Sequence, residues 1–102
     1  MNMQKMMQQA QAAQAKMVQM QEELAHETVE GSAGGGLVKA VMTGSQELTG
    51  ITIDPAAVDP ADIELLEDMI LAAVNEAARN ATELANSKMQ AITGGLNIPG
   101  LN

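Results

Sequence analysis

One short strand-forming island lies between two helix-forming stretches that are each far longer than any strand in it. This mismatch limits the possible folds more than any other feature of the chain. The island holds three segments, Thr28–Ala33, Leu37–Thr43 and Leu48–Ile53, each with β-branched residues in partial alternation. Gly34-Gly35-Gly36 and Gly44-Ser45-Gln46 read as the turns between them. Val38, Ala40 and Met42 fall on one face of the second segment, and Ile51 and Ile53 on one face of the third. The pattern predicts a three-stranded antiparallel meander.

The stretch before the island, Asn2 to His26, contains neither Gly nor Pro. Met3, Met6, Ala10, Ala13, Met17, Met20 and Leu24 recur there at spacings of three and four, the seam of a helix that pairs with another helix. Gln is the commonest residue at the other positions. After the island, Asp59 reads as a helix N-cap, Pro60 as the first helical position and Asp62 as a first-turn carboxylate. The second seam runs Ile63, Leu66, Ile70, Ala73, Ala77. It then slips register to Ala81, Leu84 or Ala85, Met89 and Ile92. Gly94-Gly95 predicts an end near Thr93. Residues 1–93 therefore read as one domain and 94–102 as a flexible tail.

Helices of about 25 and 33 residues span roughly 37 and 50 Å, whereas strands of five or six residues span about 17–20 Å. Neither helix fits wholly on the sheet. An odd strand count places the two flanking helices at opposite ends of the sheet. The second helix then folds back, covering the sheet with Ile63 to Ala77 and packing antiparallel on the first helix beyond. The fold class is α+β, ordered α-β-β-β-α, with the two helices forming a projecting arm. Met6, Met17, Met20, Leu24 and Leu84 are the expected dimer or arm packing residues.

The core must be built without aromatics, since the chain has no Phe, Tyr or Trp and nine Met among its 102 residues. With no Cys, disulfides and thiolate chemistry are excluded, as suits a cytosolic protein. The formal net charge is -8, so the chain as a whole does not attract polyanions, and any binding to them must use local clusters. No apolar run is long enough for a membrane span, and Met1 to Met20 is too rich in Gln for a signal peptide. The single His26 suits a helix C-terminus rather than catalysis. Asp54, Asp59, Asp62, Glu64, Glu67 and Asp68 lack the spacing of a calcium loop and read as capping and solvated positions. Gly34 to Gly36 is followed by a strand, unlike a phosphate loop. No catalytic set is present, so no enzyme, metal or cofactor is expected.

Several pieces together resemble one family. They are Gln14-Ala15-Lys16-Met17 through Met20-Gln21-Glu22-Glu23-Leu24, then Gly36-Leu37-Val38-Lys39 and Ile53-Asp54-Pro55. Leu65-Leu66-Glu67-Asp68-Met69-Ile70, Ala72-Ala73-Val74-Asn75-Glu76-Ala77 and Thr93-Gly94-Gly95-Leu96 complete the set. In this order they resemble the YbaB/EbfC family of nucleoid-associated proteins over almost the whole chain. The resemblance implies a cytoplasmic homodimer with projecting helical arms, associated with the nucleoid and binding duplex DNA without catalysis. It also implies a link to replication or recombination proteins.

The five cations, Lys5, Lys16, Lys39, Arg79 and Lys88, form the expected DNA footprint. Taken singly they read as solvated cations in weak surface pairs, such as Glu76 with Arg79 and Glu83 with Lys88. Three engaged cations per protomer give about six phosphate contacts per dimer and a log–log salt slope of roughly -5. The absence of aromatics argues against stacking of single-stranded bases. The acidic balance favours an alternative, a dimeric protein-interaction scaffold linked to replication or recombination with little DNA affinity of its own.

Overall fold

Residues 2–96 are described by a computed structural model. The order is α1 (Met3–His26), β1 (Thr28–Ala33), β2 (Val38–Thr43), β3 (Leu48–Ile53), a 3-10 turn (Pro55–Ala57) and α2 (Ile63–Leu96). The strands form an antiparallel sheet in the order β1-β2-β3. The principal extents are 71 × 25 × 16 Å. The α-β-β-β-α class, the meander and the long paired helices are all as the sequence predicts.

Three details differ. The cap of α2 is Asp62, whose Oδ1 accepts from the Leu65 amide at 3.2 Å. Asp59 instead caps a separate turn, accepting from the Ala61 amide at 2.9 Å, so Pro60 lies before the helix. Two Asp-x-x sequences in tandem offer the same cap, and after the first the chain closes a turn, the Asp62 amide donating to the Asp59 carbonyl at 2.9 Å, before the helix begins. At its other end α2 continues through Gly94 and Gly95 to Leu96. Glycine costs a helix only about 1 kcal/mol and does not block it as proline does. The rest of the predicted tail, 97–102, lies outside the described residues. Finally, β3 pairs with β2 through a register shift opposite Val41 and Met42, and Thr49 Oγ1 donates to the Val41 carbonyl at 3.3 Å.

α2 packs over β1 and β2. The core is Val38, Ala40 and Met42 from β2, Ala57, and Ala73, Ala77 and Ala81 from α2. Val38, Ala40 and the three α2 alanines are completely buried. These small side chains bring the helix backbone onto the sheet at Gly31. A Cβ there would collide with the Ala73 carbonyl oxygen and the Ala77 amide nitrogen. Gly44 plays the same part for α1, where a Cβ would lie 2.7 Å from Leu24 Cδ2 and 2.9 Å from the Leu24 carbonyl oxygen. Side-chain hydrogen bonds fix α2 on both flanks. Asn80 Nδ2 donates to the Glu30 carbonyl at 2.7 Å on β1. Gln46 Nε2 donates to Thr82 Oγ1 at 2.7 Å from the β2–β3 turn.

Leu48, Ile51 and Ile53 pair with Met42, Ala40 and Val38, so they share the face that α2 packs on. α2 lies over β1 and β2, however, and the three remain 41%, 42% and 36% exposed. The predicted face is right, but within one chain its cover stops one strand short.

Gly31→Ala must lift α2 from the sheet and is expected to destabilise by at least about 1–3 kcal/mol in urea unfolding. Gly50 has open space where a Cβ would go. Gly50→Ala should therefore stay within about 0.5 kcal/mol of the native chain.

Candidate nucleic-acid interface

α1 begins where Asn2 Oδ1 accepts from the Gln4 amide at 3.0 Å. Its first half is exposed on every side; only from Ala13 onward does the seam begin to find cover. Met17 is half-buried, and Met20 and Leu24 are buried. Leu84 on α2 is half-buried as well. Met6, the fifth expected packing residue, is 50% exposed. Lys16, Gln19, Met20 and Glu23 of α1 line a shallow groove with Lys88, Ala91 and Ile92 of α2. Rising numbers on α2 thus meet falling numbers on α1, the antiparallel arm that the seams predict.

The five cations fall into four places. Lys5 and Lys16 are exposed on α1. They are three helical turns apart, about 16 Å, and so lie on one face. Lys88 approaches Lys16 across the groove but is already engaged. Its Nζ lies 3.0 Å from Glu27 Oε2 and 3.2 Å from Glu23 Oε2. The pair suggested by sequence spacing, Glu83 with Lys88, gives way to a cross-helix clasp, because Lys88 takes the seam position facing α1. Arg79 is exposed about two and a half turns before Lys88 and therefore points to the opposite side of α2. It borders a depression with Asn75, Ala78, Thr82 and Glu83. Lys39 is on the sheet face away from α2, beside Ser32 and Thr52 in register.

The electrostatics follow from these positions. The hydrogen bond to Glu27, then that to Glu23, holds the Lys88 ammonium above the usual lysine value of 10.5. A lysine raised in the folded state adds stability below its unfolded pKa, and that stability is lost as pH rises through the folded value. The clasp therefore holds at neutral pH and lets go in alkali. Because both carboxylates are about half exposed, salt also screens it. Lys5 and Lys16 are left on the arm surface and Arg79 on the solvent side of α2 above the sheet, none in an ion pair among the described residues, a geometry that suits an extended polyanion. Sequence spacing could not show the clasp, since Glu23 and Lys88 meet only through the fold.

No helix among the described residues is long and apolar enough to cross a membrane. Nor do His, Cys, Asp and Glu among the described residues gather into a metal-binding group.

The chain is similar to known proteins over nearly its whole length. The model of the YbaB/EbfC DNA-binding family matches residues 1–96. A nucleoid-associated protein of Thermoanaerobacter sp. (strain X514) is 57% identical over 100 residues, covering 98% of this chain and 90% of that protein. A nucleoid-associated protein of Moorella thermoacetica is 56% identical over 99 residues, covering 97% and 95%. The crystal structure of an uncharacterized Helicobacter pylori protein shares the fold with a TM-score of 0.73 at 22% identity, covering 91% of this chain and 96% of that one.

The clasp can be read with dyes on Gln9→Cys and Gln90→Cys, since the native chain has no Cys. Energy transfer is expected to fall as pH rises above 10.5, while helical circular dichroism persists. Lys88→Met should give the reduced transfer already at neutral pH. Unchanged transfer in that variant would remove the clasp as the element that sets the arm.

Proposed function

This chain belongs to the YbaB/EbfC DNA-binding family, and on that basis we propose that it is a nucleoid-associated homodimer that binds duplex DNA through its helical arms and does no chemistry. The observation that carries the reading is the bare half of α1, with Lys5 and Lys16 aligned on one exposed face. Arg79 adds a third free cation on α2. Lys88 acts by setting the arm, and Lys39 lies apart on the sheet. Without aromatic platforms the contacts are to phosphates rather than stacked bases. The site of action is the cytoplasmic nucleoid, as the names of the relatives suggest.

The uncovered side of the sheet supports the dimer. Leu48, Ile51 and Ile53 are exposed beside the free edge of β3, and a second copy seated there removes both the apolar stripe and the open edge. The native chain is expected to run as a dimer by light scattering at micromolar concentration, and Ile51→Asp should yield a folded monomer. A native monomer contradicts this assignment.

The net charge of -8 and the engagement of Lys88 favour a second reading, a dimeric scaffold for replication or recombination proteins with little DNA affinity. Duplex binding measured by anisotropy across about 50–200 mM salt separates the two, with a log–log slope of roughly -5 expected for six phosphate contacts. Lys5→Ala, Lys16→Ala and Arg79→Ala each count twice in a dimer, so each should flatten the slope by about 1–2. No binding at the low-salt end, with the dimer intact, leaves the scaffold.

A further inference from the structure

We propose that Met3, Met6 and Met7 form a soft-metal site that binds one Cu(I) ion per chain through three thioether sulfurs. Methionine ordinarily fills cores, and Met20 and Met42 of this chain do so at 6% and 5% exposure. Met3, Met6 and Met7 are instead 74%, 50% and 58% exposed, and none joins the core cluster. Met6 and Met7 stand three and four residues after Met3 on α1, so Met3 neighbours both at about 5–6 Å between Cβ atoms, with Met6 and Met7 flanking it about 100° apart around the helix. Each side chain has three rotatable bonds, enough to converge its sulfur on a shared ion in front of that arc.

The chemistry of the surroundings selects the metal. Thioethers are soft ligands that favour Cu(I) over hard divalent cations. The first turn of α1 has no acidic residue, so the oxygen donors that Mg²⁺ or Ca²⁺ need are missing there. Lys5 is on the other side of the helix from the three sulfurs, so its charge does not face the ion. The helix N-terminus is weakly unfavourable to any cation, so affinity must come from sulfur bonding rather than from charge. The expectation of no metal took the methionine seam of α1 as packing, yet Met3 and Met6 of that seam are exposed. The site is independent of DNA binding, because the sulfurs and the Lys5–Lys16 face are on opposite sides of α1.

The test is an anaerobic titration of the full chain with Cu(I) against the chromophoric chelator bicinchoninate, repeated with redox-inert Ag(I). Wild type should take up one equivalent, with an all-sulfur shell in X-ray absorption. Leucine matches methionine in helix propensity and is close in volume, so Met3→Leu, Met6→Leu and Met7→Leu keep the fold while removing sulfur. Each single variant should bind at least about tenfold more weakly, given that loss of even outer-shell partners costs 10–100-fold. The triple variant should lose the site with its circular dichroism unchanged. No competitive uptake by wild type, equal uptake by the triple variant, or a nitrogen and oxygen shell would each overturn the proposal.

Discussion

The architecture depends on one close approach, the backbone of α2 lying directly on Gly31 of β1. Without aromatic residues the chain has no large side chains to fill a wide gap between helix and sheet. It closes the gap instead. Ala73, Ala77 and Ala81 form a flat stripe on α2, and Gly31 leaves room for the Ala73 carbonyl and the Ala77 amide. Dispersion attraction falls off steeply with separation, so this contact makes up in closeness what it lacks in volume. The flanking hydrogen bonds from Asn80 and Gln46 then fix the helix in place.

A narrow contact has consequences for everything around it. A helix seated over β1 and β2 cannot also cover β3, so Leu48, Ile51 and Ile53 remain open. A helix of 34 residues, about 51 Å long, also outruns a sheet of six-residue strands, so its second half must find another partner. That partner is the C-terminal half of α1, joined by Met20, Leu24 and the Lys88 clasp. The N-terminal half of α1 is left bare by the same geometry. The open sheet face and the bare arm are two results of one packing choice.

Much of this was legible in the sequence, because it depends on periodicity and length. The heptad spacing of α1, the alternation of Val38, Ala40 and Met42, and the excess length of both helices lead to the observed order and to the antiparallel arm. Local ambiguity explains the errors. Asp59 and Asp62 are equally good caps by residue type, yet the first opens only a turn and the second caps the helix. Burial depends on what lies opposite, so periodicity could not tell Met20 from Met6, which occupy the same seam at 6% and 50% exposure. Nor could it separate a free lysine from an engaged one. Lys88 and Glu23 are 65 residues apart in sequence and 3.2 Å apart in space.

The charge of the chain looks different once its distribution is known. A net -8 argues against polyanions only if the charges act together at long range, and at physiological ionic strength the screening length is about 8 Å. The arm extends well beyond that distance from the acidic start of α2. Along the bare half of α1, from Met3 to Ala15, there is one lysine and no carboxylate. Local potential there follows Lys5 and Lys16 rather than the total. Of the carboxylates at the base of this arm, Glu22, Glu23 and Glu27, the last two are drawn toward Lys88. An acidic protein can in this way keep a short cationic face, provided that the face projects past its own counter-charges, and the excess length of α1 over the sheet supplies that projection.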